Sequence, residues 1–377
     1  MIQRLNIAMF GSSLVSAYWN GAATYYRGIV RALSERGHRV TFYEPDVYER
    51  QTHRDMDDPP WAKVVVYQPN SAELSRALEC ASQTDLLIKT SGVGIFDDVL
   101  EAAILQVKSS HTIAVFWDVD APATLDRLHH DGSDSFLPLI PQFDLILTYG
   151  GGAPVVDAYS RLGARCCTPI YNALDPSTHY PVQSDERYRA DISLLANRLP
   201  DREGRIDEFF LKAAGKQPEK SFLLGGNGWQ DKRVPANVKV VGHVPTQDHN
   251  IFNSSSEIVL NVSRESMARY GYSPATRIFE AAGAAACLIT DAWQGIEIFL
   301  EPGQEILIAK SGQEVANYLG ELTKDRIQQI GRAAYKRVLA EHTYEKRVDE
   351  LERILDVKMN SSRKPAYVAH AVPAGEP

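Results

Sequence analysis

Short apolar runs alternate along this chain with longer stretches in which apolar positions recur every three or four residues. That alternation is the pattern of a parallel sheet covered by helices. In the first half the runs LNIAMF, RVTFYE, KVVVY, DLLIKT, TIAVFW, DLILTY and CCTPIY read as strands, and residues 21–36, 71–82, 96–108 and 153–162 read as helices. Residues 171–190 are polar and turn-rich, as an interdomain linker would be. Strands resume at DISLLA, SFLLGG, VKVVG, EIVLNV, CLIT and EILIA. The pattern predicts an α/β chain of two units, 1–170 and 191–340, with a cleft between the carboxyl ends of their strands, where open parallel sheets bind ligands. A charged helix over 341–357, with the stripe Val348, Leu351, Ile354 and Leu355, is expected to cross back over the junction, and 358–377, lacking periodicity, to be a disordered tail.

A length of 377 residues fits two domains, and 44% hydrophobic with 23% charged residues is ordinary for a soluble chain able to bury two cores. The net charge of −8 gives no general attraction to nucleic acid or to an anionic membrane. The four cysteines show no C-x-x-C pair and no ligand spacing with histidine, so they read as reduced core residues. No apolar run reaches the ~18 residues that span a bilayer, and no signal-peptide pattern opens the chain. The expectation is a cytoplasmic protein.

The stretch GYSPATRIFEAAGAAACLITD, residues 271–291, predicts a short helix over 274–282 with Ser273 as N-cap, Pro274 in the first turn and Gly283 at the end. Arg277 and Glu280 lie three apart on it, side by side on one face. They read either as a surface ion pair or as parts of a ligand site. Arg264 follows the strand VLNVSRE, and Arg198 and Arg202 follow DISLLA. Cations at the carboxyl ends of strands, level with a helix N-terminus, suit a diphosphate, and Glu280 one turn further on could accept from both hydroxyls of a ribose. Taken singly, each arginine reads first as a solvated surface residue; it is their shared placement after strands that points to a site.

Two cofactor readings compete. The turn after the first strand, GSSLVSAYWNGAATYYR, lacks the G-x-G-x-x-G spacing of a dinucleotide site, and Glu44 is a lone candidate for a ribose-binding acid. In FWDVDAP, Asp118 and Asp120 are two apart at a strand end, so both carboxylates could meet one divalent cation, or else solvate the strand end and cap the next helix. Neither a Ser/His/Asp arrangement nor a phosphate-binding G-x-x-x-x-G-K-[ST] stands out.

Residues 261–308, NVSRESMARYGYSPATRIFEAAGAAACLITDAWQGIEIFLEPGQEILI, followed by RVLAEHTYEKRVDELERIL, resemble the carboxyl-terminal domain of the CgeB-like glycosyltransferases, of the two-domain GT-B class. SAYWNGAATYYRGIVRALSERGHRVTFYEPD, FWDVDAPATL and YGGGAPVV resemble that family's amino-terminal domain, and the likeness spans most of 5–356. The resemblance implies a metal-independent transferase using a nucleotide-diphosphate sugar as co-substrate, with no cofactor, the donor in the second domain and the acceptor in the first. By motif match Glu280 would bind the donor ribose, and Arg202 and Arg264 would meet the diphosphate. Two positions depart from the family pattern: Tyr272 stands where many GT-B enzymes carry a sugar-binding glutamate, and Ala22 where N-G-H-A-T has a histidine.

The expected donor site is therefore Arg198, Arg202, Arg264, Tyr272, Ser273, Arg277 and Glu280. The expected acceptor side is Tyr18, Trp19, Asn20, Gly21 and Gly151, with Asp120 as general base and Asp118 as its substitute, and no metal. The partners would be the nucleotide sugar and a small-molecule, glycan or modified-macromolecule acceptor. The alternatives are a nucleotide-sugar epimerase of the same fold and a catalytically degenerate binding or scaffold protein. A DNA-modifying transferase is a further variant, against which the acidic charge argues.

Overall fold

The computed structural model describes residues 4–362 except Trp19; side-chain placement is described up to residue 359. Each apolar run becomes a strand. The first sheet holds β1 (Asn6–Phe10), β2 (Arg39–Pro45), β3 (Lys63–Tyr67), β4 (Leu86–Thr90), β5 (Ile113–Asp118), β6 (Leu145–Thr148) and β7 (Cys167–Pro169). The second holds β8 (Ala190–Leu195), β9 (Phe222–Gly225), β10 (Val238–Gly242), β11 (Ser256–Asn261), β12 (Cys287–Asp291) and β13 (Leu307–Ala309). The sheet orders are β3-β2-β1-β4-β5-β6-β7 and β10-β9-β8-β11-β12-β13, and every pairing is parallel.

Both faces of each sheet are covered, which is why the strands read as continuous apolar runs rather than alternating ones. Along β1, Ile7 and Met9 enter one core while Ala8 and Phe10 enter the other; along β5, Val115 and Trp117 oppose Ala114 and Phe116 in the same way. In the second half Ile258 and Leu260 of β11 face one core and Val259 the other.

The final helix runs Tyr344–Ser362 and returns to the first half, where Tyr344, Val348, Leu351 and Leu355 join the Ile7–Met9 core. Gly28 makes room for it: a Cβ there would stand 2.1 Å from the Tyr344 ring. This helix continues five residues beyond Val357, where it was expected to give way to a tail, because apolar contact with the first half extends to Met359. Residues 363–377 lie outside the described residues. Leu174 bridges Thr343 as a parallel pair, so the two chain crossings between the halves are bonded to each other. Among the described residues no helix is long and apolar enough to cross a membrane. Cys80 is exposed rather than in a core, since it lies on the outer face of helix Ser71–Ala81.

In each sheet the strand order reverses once, between β1 and β4 and between β8 and β11. Crevices open outside the carboxyl ends of such strands. The two reversals face one another.

Candidate functional site

A cavity of about 850 Å³ lies between the halves, lined by Ser12 and Ser91 from the first reversal and by Leu195, Asn197 and Arg264 from the second. Its second-half wall is built from three strand ends. Arg202 sits in the first turn of helix Pro200–Ile206 after β8, Arg264 precedes helix Glu265–Tyr270 after β11, and Arg277 and Glu280 lie on helix Thr276–Gly283.

That last helix begins two residues later than expected. Its N-cap is Ala275, and Gly283 lies inside it. Residues 272–274 stay out of the helix because the first half and the neighbouring turn claim their backbone. Gly151 N–H donates to Tyr272 C=O at 2.7 Å, Tyr272 N–H donates to Gln294 C=O at 2.6 Å, and the Asn172 amide donates to Pro274 C=O at 3.0 Å. Ser273 is buried and its hydroxyl donates to Gly271 C=O at 2.9 Å instead of capping the helix. The need for glycine at 283 is one of space, since a Cβ there would stand 2.3 Å from Leu174.

Arg277 and Glu280 form no ion pair. The Arg277 Nε donates to Leu195 C=O at 2.6 Å and its Nη1 to Asn261 Oδ1 at 2.7 Å. Burial, reinforced by the nearby Arg202 charge, pushes its pKa down to about 10. Arg202 is likewise lowered by burial and then by Arg264, and its Nε is buried without a partner. Among the described residues neither arginine has a carboxylate within ion-pair distance, and the Glu280 carboxylate has no hydrogen-bond partner. Two unneutralised cations and an unclaimed carboxylate thus line one cavity, an arrangement that burial penalises unless a ligand completes it.

Arg264 is saturated by comparison. Its Nε meets Asp201 Oδ2 and its Nη1 reaches across the cleft to Asp120 Oδ2, both at 2.6 Å. Burial works against the Arg264 charge, yet the two carboxylates hold its pKa above the ordinary value. Asp120 is raised by burial despite Arg264, and its Oδ1 is buried without a partner.

Other expected residues are placed differently. Arg198 is not on the cavity wall: Glu203 at 2.8 Å and Asp231 at 2.9 Å hold its guanidinium. Asp118 is fully buried, with Oδ1 accepting from the Thr124 hydroxyl and the Asp120 N–H and Oδ2 from the Tyr159 hydroxyl at 2.5 Å. It cannot substitute for Asp120, nor share a cation with it, because its oxygens are claimed within its own half. Among the described residues no cluster of three or more His, Cys, Asp or Glu could hold a metal. Asn20 lines the cavity, but it is largely buried and pins the loop after β1, donating to Ser13 and Ser16 C=O. Glu44 does the same, accepting from Leu14 N–H at 2.6 Å, so it is part of the loop's support rather than a ribose acid. Tyr272 (φ 48°) and Gly151 (φ 92°) belong to the interface between halves, where the Tyr272 ring packs on Gly152 and Gly295. Tyr18 and Gly21 do line the cavity, with the Tyr18 ring stacked on His53 at 4.0 Å. Trp19 lies outside the described residues.

Sequence reasoning missed Tyr149 and His249. Tyr149 ends the β6 run and opens YGGG, so it was legible as a strand-end residue. Its pKa is raised by burial and then by Asp120. His249, beside Glu280, carries no signal in its local sequence. Burial lowers its pKa against the opposing Glu280 charge, and its Nε2 donates to Val244 C=O at 3.2 Å.

Residues 202–353 match the family described as glycosyl transferase-like. Among solved structures the chain is similar to sucrose-phosphate synthase from Thermosynechococcus elongatus (TM-score 0.66, 14% identity), covering 95% of this chain and 100% of that one. It is similar also to Anabaena HepE in complex with UDP and glucose (TM-score 0.70, 15% identity; 94% and 100% covered). A third is an alpha-glucosyltransferase in complex with UDP and a 13-mer DNA containing an HMU base (TM-score 0.64, 12% identity; 94% and 100% covered). No curated protein matches. The fold is thus the GT-B fold, with two Rossmann-like halves facing across a cleft.

Proposed function

We propose that this protein is a glycosyltransferase that moves a sugar from a nucleotide-diphosphate donor to a hydroxyl acceptor. One observation carries the reading: at the carboxyl ends of the second sheet Arg202 and Arg277 stand half-buried with no carboxylate within ion-pair distance among the described residues, and Arg277 lies one turn from the unclaimed Glu280. A diphosphate supplies the missing anion, and the ribose diol beside it supplies two donors for Glu280. The match of residues 202–353 to a glycosyl transferase-like family and the nucleotide named in two of the similar structures support the same reading. The kinship with CgeB-like enzymes rests on the motifs of residues 261–308 and is part of this proposal.

As the sugar transfers, the bond from its anomeric carbon to the diphosphate oxygen breaks and its electron pair stays with the diphosphate. Arg202, Arg277 and the N-terminal turn of helix Thr276–Gly283 meet that growing charge, and this stabilisation of the leaving group does more for the rate than any other contact in the site. The acceptor hydroxyl enters from the first half, between Gly21 and Asp120, and passes its proton to Asp120 as its oxygen bonds the anomeric carbon. A carboxylate raised by burial is the better base for that step. Arginines take the place a metal ion would otherwise hold at the diphosphate.

The test is a thermal-shift panel of UDP, GDP, dTDP, ADP and NAD on wild type and Glu280→Ala. A ligand at 100 times its dissociation constant adds about 2.7 kcal/mol. We expect one nucleoside diphosphate to shift the wild type and not the variant. A shift with NAD alone, or an equal shift in Glu280→Ala, would defeat the assignment.

A further inference from the structure

We propose that the donor diphosphate and Asp120 compete for Arg264, so that the base is released to the acceptor only once the donor is bound. The inference rests on the donor site proposed above. It begins from a pairing across the cleft that fold maintenance within one half does not require. Arg264 belongs to the second half and Asp120 to the first, and they meet at 2.6 Å. Asp201, from the same half as Arg264, holds the guanidinium from the other side at 2.6 Å. With both carboxylates in place Arg264 is neutralised, whereas Arg202, beside it, is not.

A diphosphate on Arg202 and Arg277 brings new negative charge next to both Asp120 and Asp201. One guanidinium cannot favour three anions together, and the contact held across the cleft is the one that opening of the halves can break. Asp120 Oδ1 is already buried without a partner, so the carboxylate is committed to Arg264 through Oδ2 alone. Losing that contact leaves it at the head of helix Ala121–His130, where the dipole tolerates its charge, and free toward Gly21 and Tyr149. Until then, the base is engaged and an acceptor hydroxyl finds no proton acceptor. Such an arrangement orders donor before acceptor.

The experiment measures binding of UDP, and of inorganic pyrophosphate as a probe free of base and ribose, by calorimetry. Asp120→Asn removes the competing charge at constant shape and is expected to tighten both ligands about tenfold. The same substitution on an Arg264→Gln background is expected to change nothing. Asp98→Asn, another carboxylate on the cavity wall, is the control for general charge and is expected to have no effect. Asp120→Ser repeats the test should the asparagine variant misfold. If wild type binds UDP but Asp120→Asn leaves or weakens that affinity, or if the gain survives Arg264→Gln, the competition is refuted and the donor site stands. If wild type binds neither ligand at millimolar concentration, the competition and the donor site fall together.

Discussion

Replacing Arg277 by methionine separates a residue kept for a ligand from one kept for the fold. Burial depresses the folded pKa from the ordinary guanidinium value to about 10. Folded and unfolded states are both protonated at pH 7, so the full penalty is present there; it fades as pH rises from about 10 toward 12.5. At 1.36 kcal/mol per pH decade the buried charge costs about 3 kcal/mol. Against this stand two charge-assisted bonds, to Leu195 C=O and Asn261 Oδ1, worth about 1.5–3 kcal/mol each. Cost and gain nearly cancel. Arg277→Met, which fills the same space without charge, should leave the nucleotide-free protein within about 2 kcal/mol of wild type, or roughly 4–8 °C in midpoint. Losing one buried partner of a charged contact costs about 2–5 kcal/mol in binding, so the affinity for a nucleoside diphosphate should fall about 30-fold or more. Scanning calorimetry reads the first number and titration calorimetry the second. A drop above 10 °C with affinity kept within threefold would mean that Arg277 holds strand ends together and serves no ligand.

Asp118→Asn should lower stability by about 2 kcal/mol, read as a lower urea midpoint, because its amide would face one of three donors now aimed at carboxylate oxygens; nucleotide affinity should be unchanged. His342 accepts from Arg347 through Nδ1, and burial, with Arg347 and Arg337, pushes its pKa down to about 4. The unfolded chain binds that proton below about 6.5 and the folded one does not, so stability is full above pH 6.5 and falls by up to about 3 kcal/mol toward pH 4. Urea titrations across that window should lose this slope in His342→Gln. Gly28→Ala should destabilise by about 1–3 kcal/mol, as its Cβ would overlap the Tyr344 ring, and limited proteolysis should then cut within Tyr344–Ser362 first; an unchanged midpoint would contradict the packing.

Apolar periodicity by itself determined the thirteen strands and the two-part order, since a strand buried on both faces must be continuously apolar wherever it sits. It also marked the returning helix, whose stripe of Val348, Leu351 and Leu355 needs a core to cover it. The cations at strand ends were legible for the same reason: a parallel strand's carboxyl end is a position in the sequence. What those side chains do there was not. Arg198, Arg202 and Arg264 look alike in sequence, yet Glu203 and Asp231 occupy the first, Asp120 and Asp201 the third, and no carboxylate among the described residues the second. Asp118 and Asp120 are two residues apart on one strand end, but Tyr159, forty-one residues away, claims the first for the interior. Ser273 had the chemistry of an N-cap and lost the role to contacts with Gly151, Asn172 and Gln294 around it. A charge or a hydrogen bond is decided by the group that faces it, and here the deciding groups, such as Asp120 for Arg264 and Tyr159 for Asp118, lie far along the chain; only the tertiary structure brings the two together.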